Sequence, residues 1–331
     1  MAIDNNTALG WQRFDYFLQQ LQAAFDKAGA TEDAALLLYQ QNVRTPLFML
    51  EALTRLYKDI LNKKRFKKFN ELFKDFEDKL GAIDYYDGFG KEFSNKENIP
   101  QAVKDFIKAQ MENRLADLRQ MLEENGWTGN DNKRMQKITT KLQEANWPAE
   151  EEDASAIKTC YQETIAGIVE NIKKNKISFQ NVEADVHELR RELRWLSIYP
   201  QALRGLIQMK PSVNSPEYLK KYLVPEIVNS PFNKMPEPGG LKNIIYVDAD
   251  HFYALSWLIA ELGKLKDNGL RIIVLKEALQ SINKLNDEEA EKQALALCGE
   301  GQMKTADILQ KSKEISDQFF KEKIPEQLVI E

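Results

Sequence analysis

The chain has 331 residues, 43 % hydrophobic and 29 % charged, with 11 Pro and 15 Gly; this composition excludes a disordered or collagen-like chain and leaves room for one large or two ordinary domains. A net charge of −5 gives no bulk attraction to nucleic acid or to an anionic membrane, so any anion site must be local. Two cysteines, Cys160 and Cys298, and two histidines, His187 and His251, supply neither a disulfide framework nor a four-ligand zinc site, and the expectation is a cytoplasmic protein without a cofactor.

The segment Met1-Ala2-Ile3-Asp4-Asn5-Asn6 has no basic or apolar region of the secretory kind, so no signal is expected there. Trp11, Phe14, Leu18, Leu21 and Phe25 recur at spacings of three and four, which predicts a first helix with one buried side. Thr31 is the expected N-cap of a second helix. Thr45-Pro46 puts Pro in the first turn of a third, running to about Leu61. Further helices are predicted over Phe66 to Leu80, Pro100 to about Glu124, Asp131 to Asn146 and Ala149 to Lys174. Ser178 should cap a long helix to Tyr199, where Pro200 removes an N–H and kinks or ends it, and helical spacing resumes to Met209.

Between Lys210 and Asn243 the composition changes, with Pro211, Pro216, Pro225, Pro231, Pro236 and Pro238 crowded together, as in an insertion or linker. Ile244-Ile245-Tyr246-Val247 reads as extended, with no strand partner nearby in the sequence. From Asp248 helical spacing returns and continues to about Lys321, broken at Gly299 to Gly301. The longest apolar stretch, around Phe252 to Leu262, carries Glu261 and is too short to cross a bilayer. The expected fold is all-α, with helical halves over 1–148 and 149–331 and an irregular Pro-rich insertion at 210–247. Leu80-Gly81 and Leu262-Gly263, each following a helical stretch, hint that the halves are related by a pseudo-twofold repeat.

His187, Arg190, Arg191 and Arg194 fall at helical positions i, i+3, i+4 and i+7, a continuous charged stripe beside the apolar stripe of Val186, Leu189, Leu193 and Leu196. Like charges at that spacing repel by a few tenths of a kcal/mol per pair, so something must compensate. A phosphate-rich anion would, because the guanidinium fork matches its oxygens two at a time and stays charged. Glu183, Glu188, Glu192 or carboxylates of neighbouring helices would do so equally, leaving a solvated, ion-paired surface. A second cluster, Lys63, Lys64, Arg65, Lys67 and Lys68, joins Arg55 and Lys58 against the single acid Asp59, and either extends an anion-binding surface or is a solvated helix junction. Lys173, Lys174 and Lys176 form a third, smaller group.

Val186-His187-Glu188-Leu189-Arg190-Arg191 with Arg194, and Leu262-Gly263-Lys264-Leu265-Lys266-Asp267 after it, resemble the two motifs of the CHAD family (conserved histidine α-helical domain). The resemblance implies two four-helix halves lining a basic groove that binds inorganic polyphosphate, with His187, Arg190, Arg191 and Arg194 as groove residues. The first half departs from that pattern: Tyr39-Gln40-Gln41-Asn42-Val43-Arg44-Thr45-Pro46 offers Arg44 alone, and Ala82-Ile83-Asp84-Tyr85-Tyr86-Asp87 lacks the Arg expected there.

Three functions are therefore weighed. The first is a binding module, not an enzyme, that takes a polyphosphate-like anion on the stripe. The second is a helical interaction or scaffold protein that has lost the anion site and binds another protein. The third is a metal-dependent phosphotransferase, since Ile244-Ile245-Tyr246-Val247-Asp248-Ala249-Asp250 imitates the apolar-run-then-Asp-x-Asp start of haloacid-dehalogenase-like enzymes. The bland reading of Asp248 is a helix cap and of His251 a surface residue, while Cys160 and Cys298, without adjacent basic residues, are expected in the core.

Overall fold

A computed structural model describes residues 8–129, 133–213 and 215–330; the 1–6 segment and the predicted helix start at Asp131 lie outside them. The chain is about 72 % helical, with one small two-stranded sheet among the described residues, and the all-α expectation holds. Its contacts divide it into two compact units, one holding residues up to Asn95 together with Asp105–Ile157, the other Lys96–Lys104 together with residues from Lys158 onward.

In the first unit α1 (Leu9–Ala28) buries Trp11, Phe14, Leu18, Leu21 and Phe25 as its spacing predicts. It packs on α3 (Arg44–Tyr57), joined to it by the short α2 (Ala34–Gln40). The cap of α2 is Asp33, whose carboxylate accepts from Leu36 N, rather than Thr31: two residues nearer the helix, it reaches the orphan N–H that the threonine does not. Helix α4 (Lys63–Phe93) runs well past Leu80, the predicted end. Glycines at 81, 88 and 90 each cost a helix about 1 kcal/mol, but beyond Leu80 the helix buries Ile83, Tyr86 and Phe93, and that packing outweighs propensity. Helices α5 (Gln101–Glu124), α6 (Arg134–Gln143) and α7 (Glu150–Lys173) follow. Inside this unit Arg13 Nη1 donates to Tyr57 Oη and to Asp153 Oδ2, each at 2.5 Å, and Tyr57 Oη donates to Asp153 Oδ1 at 2.7 Å, all three side chains being buried.

The second unit is built around α10 (Ala249–Asn283), which carries buried residues along its whole length. Against it lie a π-helical turn (Val182–His187) and α8 (Glu188–Ala202). The expected Ser178 cap is replaced by Asn181, whose side chain accepts from Glu183 N and Ala184 N, while Ser178 Oγ donates to Asp185. Pro200 sits inside the last turn of α8. The segment to Met209 is not helical: β1 (Ile207–Lys210) pairs in parallel with β2 (Ile245–Asp248), register Ile207 to Ile245. Leu328 O accepts from Asp248 N and Ile330 N donates to Tyr246 O on the other edge of β2, around an antiparallel bridge from Val247 to Val329. The predicted extended run therefore has partners on both sides, both remote in sequence, which a local pattern cannot reveal.

The Pro-rich crossover between these strands is irregular, as expected, apart from short helical turns among its described residues. It holds a 3-10 turn (Glu217–Tyr222), α9 (Pro225–Val228) and a second 3-10 turn (Pro231–Asn233). Buried Asn233 donates to Ile227 O and accepts from Ser256 Oγ on α10, which ties the strap down. Helices α11 (Asp287–Cys298) and α12 (Thr305–Lys321) complete the unit. No helix among the described residues is long and apolar enough to cross a membrane.

Candidate functional site: the basic face of α8

The charged stripe stands where the π-helical turn meets α8. Arg190, Arg191 and Arg194 lie on one side of that helix, while Leu189, Leu193 and Leu196 bury the other. All three arginines and His187 are half-buried.

Each cation has a different setting. His187 Nδ1 and Glu183 Oε1 share a 2.7 Å hydrogen bond, and that bond, with lesser help from Lys266 and Arg191, holds the Glu183 carboxyl below its ordinary range. Arg191 pairs with Glu188 at 3.4 Å. Arg194 sits half-buried beside them. Arg190 turns onto α10: its Nε donates to Ile259 O at 3.1 Å, and a Cβ built on Gly263 would lie 3.0 Å from that Nε. Any side chain at 263 would crowd the guanidinium, so the glycine makes its seat. Among the described residues Arg190 makes no ion pair; burial pulls its pKa down, with Asp267 acting the other way. Lys266 Nζ holds Asp267 at 2.7 Å.

The same device occurs in the first unit, where the sequence offered only Arg44. A Cβ on Gly81 would lie 2.7 Å from Arg44 Nη2, so this guanidinium too rests on a helix glycine after a leucine. Here it is saturated: Nε donates to Glu77 at 2.6 Å and Nη1 to Asp84 at 2.8 Å. The sequence shows both Leu-Gly pairs, each after a helical stretch. Both lie mid-helix, and Glu77 and Ile259, each four residues before its glycine, went unnoticed.

The second basic cluster opens α4 in the first unit. Lys63 pairs with Asp59 at 2.7 Å, which raises the lysine above its ordinary range, and Lys67 lies 4.0 Å from Glu71. Arg65 Nη1 donates to Lys141 O. Lys64 and Lys68 are exposed and make no ion pair among the described residues. Of the third group, Lys173 reaches Glu326 at 3.7 Å and Lys174 pairs with Glu170.

Asp248 caps α10, accepting at Oδ1 from His251 N at 3.0 Å and from Ser212 Oγ at 2.7 Å, with His251 Nδ1 also at 2.7 Å. Burial would raise this carboxyl, but those hydrogen bonds take it below its ordinary range. His251 is buried, not on the surface as expected, because the cap draws its ring under the first turn. Cys160 and Cys298 are half-buried and not core residues. No group of His, Cys, Asp and Glu able to hold a metal occurs among the described residues.

Comparison of the chain with protein-family models, with curated proteins and with solved structures gives no match in any of the three.

Proposed function

We propose that the chain is a divergent CHAD-like helical module that binds a phosphate-rich anion on the α8 face through Arg190, Arg191, Arg194 and His187. The observation that carries the reading is Arg190: a half-buried guanidinium, oriented by Ile259 O on the Gly263 seat, with no ion pair among the described residues. A partly desolvated charge without a counter-ion is costly, and a polyanion removes that cost while accepting from the free part of the fork. The surrounding pairs do not block it. His187–Glu183 and Arg191–Glu188 are helix-surface pairs, worth about 0.3–0.5 kcal/mol each, and an incoming phosphate displaces them readily. Lys63, Lys64, Arg65, Lys67 and Lys68 are a separate local excess of charge in the other unit.

The test is binding of fluorescent polyphosphate to the purified chain across a salt series. Affinity should fall with salt, as counter-ion release requires, and Arg190→Gln with Arg191→Gln and Arg194→Gln should abolish it. Indifference of the wild type to polyphosphate removes the reading. The second reading, a helical scaffold without an anion site, is favoured by the Glu183 and Glu188 pairings, and predicts that indifference.

A further inference from the structure

Within the second unit a cleft of about 300 Å³, at the lower end of the size range of small-molecule sites, opens between the 3-10 turn Glu217–Tyr222, α10 and α12. We propose that it binds a free amino acid with an aromatic side chain, its ring against Trp257, its carboxylate on Lys311 and its ammonium on Glu314. The cleft takes no residue from the α8 face, so the proposal stands or falls apart from the reading of that face.

The walls are aromatic. Tyr222 is buried and sets its ring 4.9 Å from that of Trp257, at 64°. Lys221 Nζ lies 4.8 Å from the centre of the Tyr222 ring, so the tyrosine already holds a cation of the chain's own. Trp257 is half-buried, and its indole N–H donates to nothing among the described residues. Ile315 of α12 adds a further apolar wall. Aromatic pairs attract one another beyond the area they bury, so the indole favours an aromatic guest over an aliphatic one.

The charges fall into two sets. Glu322 is 14 % exposed and is satisfied from within, since Lys221 Nζ and Tyr222 Oη donate to it at 2.6 Å each and Gln318 Nε2 at 2.7 Å. Lys311 and Glu314 are exposed and make no ion pair among the described residues; Glu314 accepts from the Gln310 amide at 2.8 Å through one of its two oxygens. Their spacing of three on α12 puts both on the helix face that carries Ile315. A guest with an acid alone would be drawn to Lys311 and repelled by Glu314, and an amine alone would meet the reverse. An amino acid carries its ammonium and carboxylate on one carbon and answers both charges while its ring lies on the indole.

The experiment titrates the full chain with L-phenylalanine, phenylpropionate and phenethylamine in turn and follows the Trp257 indole N–H resonance by NMR, identified as the signal lost in Trp257→Phe. L-Phenylalanine should give a saturable shift, and the two analogues, each lacking one charge, should bind about fivefold more weakly, the scale of one exposed ion pair. Lys311→Gln should erase the advantage of L-phenylalanine over phenethylamine, and Glu314→Gln its advantage over phenylpropionate. Both side chains are exposed, so neither variant threatens the fold. No saturable shift with L-phenylalanine, equal binding of the three compounds, preferences unmoved by the two variants, or L-leucine binding as tightly as L-phenylalanine overturns the proposal.

Discussion

Arg44 in the first unit and Arg190 in the second are both set on a glycine of a long helix, yet one is saturated and the other is not. The difference lies at two positions. Four residues before the glycine stands Glu77 in one case and Ile259 in the other, and three residues after it stands Asp84 in one and Lys266 in the other. Helix geometry puts both positions on the glycine's own face, so an acid there reaches the guanidinium and an isoleucine offers only its main-chain carbonyl. Exchanging Glu and Asp for Ile and Lys changes the local charge by three and separates a doubly paired arginine from one that makes no ion pair among the described residues.

The comparison sharpens most where the first unit buries its charges completely. Arg13, Tyr57 and Asp153 hydrogen-bond to one another in its interior. Asp153→Ala leaves Arg13 charged and buried, and should cost about 3–5 kcal/mol. Equilibrium urea unfolding measures this; a loss under about 1 kcal/mol would mean that water reaches the pair. Arg190→Ala, by contrast, removes an arginine with no ion pair among the described residues and should leave the urea midpoint nearly unchanged.

Glu77→Ala comes next. It strips Arg44 Nε of an acceptor that is almost wholly buried, so about 1–3 kcal/mol should be lost, and Asp84→Ala, at an exposed pair, should cost less than about 1 kcal/mol. If the two losses are equal, Glu77 is not the orienting partner.

In the second unit the corresponding anchor is Asp185, below the stripe. Burial alone would raise its carboxyl, but N–H groups of Gln180, Asn181 and Ser178 together with Ser178 Oγ bring it below its ordinary value. A carboxyl held lower in the folded chain than in the unfolded one stabilises above the unfolded pKa, near 3.9, and that contribution fades as pH falls through the folded value. Asp185→Asn should therefore cost stability at pH 6 and narrow its gap to the wild type as the pH drops from about 4 towards 2. Urea midpoints across that range decide it; parallel curves would rule Asp185 out as the titrating anchor.

What could be read beforehand follows the reach of each interaction. The buried side of α1 and the near-correct span of α7 come from periodicity inside one helix. The extension of α4 through Gly81, Gly88 and Gly90 could not, since what holds it is burial of Ile83, Tyr86 and Phe93. The β1–β2 pair was half visible, Ile245 to Val247 reading as extended while its partner Ile207 to Met209 read as helix, because parallel pairing joins segments that share no local signal. The site divides likewise. The stripe His187, Arg190, Arg191 and Arg194 is a spacing, and spacing survives folding. That Arg190 turns onto Gly263 while Arg191 meets Glu188 depends on where α10 lies.

The smallest effect tests the seats themselves. Alanine in a helix interior is favoured over glycine by about 1 kcal/mol, so both Gly81→Ala and Gly263→Ala gain that from the backbone. At 263 the new Cβ meets Arg190 Nε at 3.0 Å, and the guanidinium, bound among the described residues through Ile259 O, can move outward at the loss of one hydrogen bond. At 81 the Cβ would come within 2.7 Å of Arg44 Nη2, and moving that guanidinium strains two ion pairs, one of them to buried Glu77. Gly263→Ala should therefore be neutral or slightly stabilising, and Gly81→Ala lower in stability than Gly263→Ala by about 1 kcal/mol. Thermal unfolding of the two variants in parallel resolves a difference of that size, and the reverse order would show that Arg190, not Arg44, is the arginine its unit depends on.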